Sequence, residues 1–100
     1  MEPFHDVKKI GLSGASTCVY MNKIWGLVAG DMVDITIVDT ANPAHKVVST
    51  KKVCASKGNT LVIVNKDWGF NKGDLVQIQV QPREGFDRRV RDQEEDQEVS

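Results

Sequence analysis

The sequence predicts a small, mainly β domain: one six-stranded barrel with pseudo-twofold symmetry and a single short helical turn in each repeat. Three observations carry that expectation. First, NKIWGLVAGDMVDI returns downstream as NKDWGFNKGDLVQI, and laying residues 8–37 over 51–80 at a constant offset of 43 gives 13 identities in 30 positions, among them Lys8/Lys51, Asn22/Asn65, Trp25/Trp68 and Asp31/Asp74. Second, after each Gly-Asp the apolar residues alternate strictly: Val33, Ile35 and Ile37, then Val76, Ile78 and Val80. That is the period of a strand with one wet face. Third, TCVYM and TLVIV are apolar on both faces, as suits a strand inside a closed sheet. A unit this short buries too little surface to stand alone, so the two copies are expected around one shared core.

Taken in order, VKKIGLS and HKVVSTKKVCAS read as the first strand of each copy, followed by small polar turns at residues 13–17 and 56–60 and then the buried strand. The helical turn falls in NKIWGL and NKDWGF, where Asn22 and Asn65 can cap the first amides and Gly26 and Gly69 end the helix at once. Trp25, Trp68, Leu27 and Phe70 are expected to point inward. Gly30 and Gly73 supply tolerance for positive φ at the start of the last strand, and Asp31 and Asp74 can accept bonds from amides of that turn. Repeat 1 thus spans about 7–38 and repeat 2 about 46–81, within a barrel domain of residues 1–81.

Residues 82–100 differ in composition. They carry four Arg against seven carboxylates, a net of −3, whereas residues 1–81 carry nine Lys against seven carboxylates, a net of +2. Such an acidic tail buries no core and is expected to be disordered or marginally helical by itself. No apolar run approaches the roughly 20 residues of a membrane span, and MEPFHDVKK has no signal-peptide core, so a cytoplasmic, non-membrane protein is the default. Cys18 and Cys54 do not align with one another under the repeat and are read as free, partly buried thiols.

Catalytic and metal chemistry find no pattern. Asp39-Thr40-Ala41 superficially looks like one half of a paired-aspartate site, but the repeat places Pro82 opposite Asp39, so a strand-ending turn is the better reading. No Gly-Ser dipeptide is present for self-cleavage to a pyruvoyl group. His5 and His45, expected near a frayed end and in an exposed connector, lack a neighbouring nucleophile, and neither a phosphate-cradling glycine loop nor a zinc or calcium ligand set occurs. A non-enzyme without cofactor or metal is expected.

The segments SGASTCVYMNKIWGLVAGDMVDI and SKGNTLVIVNKDWGFNKGDLVQI, with their polar turn, buried strand, Lys23 or Lys66 at the helix start, Trp and Gly-Asp, resemble the AbrB/MazE/SpoVT family of swapped-hairpin, cradle-loop barrels over residues 7–81. Two departures are visible. Asn22 and Asn65 stand where the family usually has Pro, and the stretch from there to Gly-Asp is shorter by about one helical turn. Two copies on one chain are also similar to double-psi barrels, and hydrophobic pattern does not separate the two threadings. The resemblance implies a small DNA-binding regulator or architectural protein whose partner is duplex DNA. Its phosphate contacts would come from Lys8, Lys9, Lys23, Lys51, Lys52, Lys57 and Lys66. The alternative is a protein-interaction module, similar to MazE-like antitoxins, whose tail would engage a partner through Phe86, Arg88, Arg89, Val90 and Arg91. Whether two chains associate as a homodimer is left open.

Overall fold

A computed structural model describes residues 3–83. They form β1 (Phe4–Lys9), β2 (Gly11–Ser13), β3 (Ser16–Tyr20), a 3-10 turn (Lys23–Trp25) and β4 (Met32–Asp39), then β5 (Lys46–Lys52), β6 (Cys54–Ser56), β7 (Asn59–Ile63), a second 3-10 turn (Lys66–Trp68) and β8 (Leu75–Pro82). Every element of the second half lies 43 residues after its counterpart, apart from the first residue of β5. The expected mainly β class holds, with one short helical turn per repeat.

The strands pair as two four-stranded antiparallel sheets, in the orders β1-β8-β4-β5 and β2-β3-β7-β6. The strands number eight, in two open sheets, where six were expected from sequence. The reason is local to Ile10 and Val53. Ile10 donates its amide to Asp74 O and accepts from Gly73 N, both at 2.8 Å, while Val53 donates to Asp31 O and accepts from Gly30 N at the same distances. Each first strand is thereby broken in two where its peptide turns aside to the Gly-Asp of the other repeat. The repeats are interlocked.

Two cross-strand pairs mark the symmetry axis: Val19 faces Val62, and Thr36 faces Gln79, each residue opposite its own repeat mate. Around that axis Val33, Ile35 and Ile37 of β4 and Val76, Ile78 and Val80 of β8 point inward and are fully buried, meeting Val19, Val62, Met21, Val64, Leu27 and Phe70. One core serves both copies. At about 25 cal/mol per Å² of apolar area, burial of this kind is the main stabilising term.

The two turns explain the tryptophans. Gly26 and Gly69 adopt φ of 73° and 81°, which ends each 3-10 turn after three residues. Trp25 is buried and stacked on Phe4, with ring centroids 5.1 Å apart and planes at 10°. Trp68 is only half-buried, because the repeat mate of Phe4 is Val47 and offers no ring. Gly30 and Gly73 take φ of 99° and 91°, and Asp31 and Asp74 accept from Val28 N (2.9 Å) and Asn71 N (2.8 Å), as the turn chemistry predicts.

Four expectations need correction. Asn22 and Asn65 stand at the cap positions with extended backbones but make no capping bond, since their side chains are engaged elsewhere. Both cysteines are free, yet neither is partly buried: Cys54 is exposed, while Cys18 is fully buried and burial raises its thiol pKa. His45 is not a solvated loop residue: its ring stacks on Phe70 at 4.2 Å and its Nε2 lies 2.6 Å from Trp68 O. His5 belongs to β1 rather than to a frayed end.

Candidate nucleic-acid interface

The alternation of burial along β1, β8, β4 and β5 gives their sheet one face on the core and one on solvent. Outward-facing positions on β1 are His5, Val7 and Lys9; on β5 they are Lys46, Val48, Thr50 and Lys52. Between them β8 presents Leu75, Gln77, Gln79 and Gln81, and β4 presents Met32, Asp34, Thr36 and Val38. Lys9 and Lys52 are repeat mates at opposite corners, paired in register with Leu75 and Met32.

The only carboxylate among these outward positions is Asp34, and its charge is matched. Its Oδ1 accepts from Thr50 Oγ1 at 2.6 Å and from Arg83 Nη1 at 3.0 Å, and the Thr50 bond, followed by the Arg83 charge, holds its pKa below the ordinary aspartate value. A shallow cleft of about 240 Å³ crosses the centre of the face, lined by His5, Thr36, Val38, Lys46, Gln77 and Gln79 above buried Ile78. Lys46 stands at the β5 rim and His5 at the β1 rim of a floor of amide, hydroxyl and aliphatic side chains.

The seven lysines singled out from sequence divide into three groups. Lys8 and Lys51 are committed inside the chain. Lys8 Nζ donates to Asn22 Oδ1 and lies 3.7 Å from Asp6 Oδ2, and Asn22 Nδ2 donates to Asp6 Oδ2 at 2.8 Å. Asp6 is consequently held below the usual carboxylate range, first by the Asn22 bond and then by Val7 N and Lys8. In the second repeat Lys51 Nζ donates to Asn65 Oδ1 at 2.8 Å and sits 5.3 Å from the Trp68 ring centroid, a cation–π contact. These two lysines brace each first strand against its 3-10 turn. Lys9 and Lys52 reach the exposed sheet face. Lys23 and Lys66 are exposed at the starts of the 3-10 turns, and Lys57, at φ 53°, occupies the β6–β7 turn.

Sequence reasoning missed Lys46, His5 and the Gln77-Gln79-Gln81 row. Lys46 was hidden because its repeat mate is Pro3, so a search for repeated lysines passes over it. The period-2 alternation of β5 was the available signal: it places Lys46 on the face of Lys52. Asp39 forms the expected turn, its Oδ1 accepting from Ala41 N at 2.9 Å. Among the described residues no group of three or more His, Cys, Asp or Glu gathers to hold a metal, and no helix is long and apolar enough to cross a membrane. Phe86, Arg88, Arg89, Val90 and Arg91, and the tail they belong to, lie outside the described residues. Comparisons with protein-family models, with curated proteins and with solved structures return no match.

Proposed function

We propose that the chain is a non-enzymatic nucleic-acid-binding protein of the cell interior that takes duplex DNA on the solvent face of the β1-β8-β4-β5 sheet. One observation carries the reading: Lys9 and Lys52, exposed repeat mates, stand at opposite corners of a face whose single outward carboxylate is already matched by Arg83. Treated as flat, the sheet separates them by three strand spacings across and, through the Lys9–Leu75, Thr40–Leu75 and Met32–Lys52 contacts, eight residues along, or about 30 Å. That distance is of the order of one turn of B-DNA, about 34 Å. A pseudo-twofold protein then meets a pseudo-twofold duplex with one cation near the backbone at each end. Lys46 adds a third, and the Gln row is suited to adenine, whose N6 and N7 pair with an amide.

The finer fold belongs to the same proposal. β1 with β2, and β5 with β6, are each read as one strand bent at Ile10 or Val53, which joins the two sheets into a six-stranded swapped-hairpin barrel closed by a single chain. The AbrB-like resemblance supports it, as does the exchange of Gly-Asp contacts between repeats.

The test is a titration of duplex DNA at several salt concentrations. Binding should weaken steeply with salt, and the triple substitution Lys9→Gln, Lys46→Gln, Lys52→Gln should lower the slope of log affinity against log salt by about 0.9 per lost phosphate contact. Unchanged affinity and slope in that variant would remove the face from consideration.

A further inference from the structure

We propose that the acidic segment of residues 84–100 docks back onto the solvent face of the β1-β8-β4-β5 sheet of its own chain. Three observations point to this occupant. The first is where the described chain ends. Arg83 N donates to Met32 O at 3.1 Å and Arg83 Nη1 pairs with Asp34, so the described chain ends at the Met32–Lys52 corner of that face. The second is charge. Residues 84–100 carry seven carboxylates against Arg88, Arg89 and Arg91, a net of −4, while residues 3–83 carry nine Lys and Arg83 against six Asp, a net of +4. Among the described residues, the outward positions around Lys9, Lys46 and Lys52 include one carboxylate, Asp34, which Arg83 already pairs.

The third is apolar exposure. Val48 is 66% exposed, Val7 50%, Leu75 48% and Met32 40%, so four of the seven exposed large apolar residues among those described share this face. The segment supplies Phe86 and Val90 to cover them. Reach is sufficient. From Arg83 back to Ile78 under the cleft is five strand residues, about 17 Å, and seven residues of extended chain from Arg83 to Val90 span at most about 25 Å. Gly85 permits the reversal. With Val90 at the cleft, the carboxylates from Asp92 to Glu98 are within reach of Lys46, which lines it. The docking stands on these observations alone. Its consequence, that the segment competes with phosphates for the same lysines, rests on the nucleic-acid reading above.

The experiment uses the full chain. Amide spectra of the isotopically labelled protein are compared with those of the variant Glu94→Gln, Glu95→Gln, Asp96→Asn, Glu98→Gln. The signals of His5, Lys46, Val48, Gln77 and Gln79 should shift, and those of β2, β3, β6 and β7 should stay. Raising salt on the unaltered chain should move the same signals in the same direction. A nitroxide on Ser100→Cys, in a chain also carrying Cys54→Ser and diluted in unlabelled protein, should broaden Lys46 and Gln79 of its own chain. Unmoved face signals, or broadening confined to neighbouring molecules, would overturn the proposal. The tail variant should also bind duplex DNA severalfold more tightly. Face signals that shift with no gain in duplex affinity would sink the nucleic-acid reading and leave the docking standing.

Discussion

Replacing the two tryptophans one at a time separates what the repeat shares from what it does not. Trp25 is 9% exposed and stacked on Phe4, so Trp25→Ala removes a buried aromatic and should cost about 3–5 kcal/mol. Trp68 is half-buried, has Val47 where Trp25 has Phe4, and faces Lys51 across 5.3 Å, so part of its surface is already wet. With less apolar area to lose, Trp68→Ala should cost about 1–3 kcal/mol. Urea unfolding followed by far-UV circular dichroism reads both, and with m near 1 kcal/mol/M for a domain of this size the Trp25 midpoint should fall further by about 1–3 M. Total stability of small domains is about 5–15 kcal/mol, so Trp25→Ala lies near the limit of folding. A double-mutant cycle of Phe4→Leu and Trp25→Phe therefore provides the milder measurement. It should show a coupling of about 0.5–1.5 kcal/mol with no counterpart between Val47 and Trp68. Equal losses at the two tryptophans would refute the asymmetry, and two separate transitions would refute the shared core.

Lys8→Gln and Lys51→Gln should each lower stability by about 0.5–1.5 kcal/mol while leaving any duplex affinity nearly unchanged, because both amines are spent on Asn22 and Asn65; parallel urea and duplex titrations check this. Asn22→Ala, by removing a bond to Lys8 and one to Asp6, should cost more than Asn65→Ala, for which a single bond to Lys51 is lost; the same urea assay decides it. Asp6 and Asp34 both have depressed pKa values, so the stability they contribute is present above their unfolded values and is lost as pH falls through the folded ones. The melting temperature should therefore drop below about pH 4, and Asp6→Asn should flatten part of that acid limb. Gly73→Ala places a Cβ at φ 91° and should cost about 1–2 kcal/mol even though nothing lies within 4 Å of it, measurable as a lower melting temperature.

Local rules made much of the fold legible and failed where long-range contacts overrode them. The wet-face alternation of β4 and β8, the left-handed Gly26 and Gly69, and the Asp31 and Asp74 turns all follow from residues a few positions apart. The breaks at Ile10 and Val53 do not. KIGLS and KVCAS contain no proline, Gly11 beside the first break has no counterpart at Cys54, and the peptide leaves the sheet where Gly73-Asp74 and Gly30-Asp31 of the opposite repeat accept and donate. Asn22 and Asn65 were read as caps because a cap needs only neighbours within three residues. Lys8 and Lys51, 14 residues upstream, take the same oxygen atoms, and a charge-assisted bond is about twice as strong as a neutral one.

The candidate site was harder to read for a related reason. The duplication drew attention to positions that match, and matched lysines serve two purposes that sequence does not distinguish: Lys8 and Lys51 alternate inward on their strands, Lys9 and Lys52 outward. Strand period, rather than identity between repeats, sorts them. The same period brings in Lys46, which has no repeat mate, and the Gln row of β8, whose counterparts on β4 are Asp34, Thr36 and Val38. The face is consequently symmetric at its corners and asymmetric along its centre. On the duplex reading proposed above, phosphate contacts need only the corners, since they position a duplex without reading it. Any discrimination between bases has to come from the central rows, and Gln77→Ala with Gln79→Ala should therefore leave the salt slope intact while narrowing the affinity difference between adenine-rich and guanine-rich duplexes. Loss of slope in that variant would mean that the amides touch phosphates, and that the division of the face into positioning corners and a reading centre is wrong.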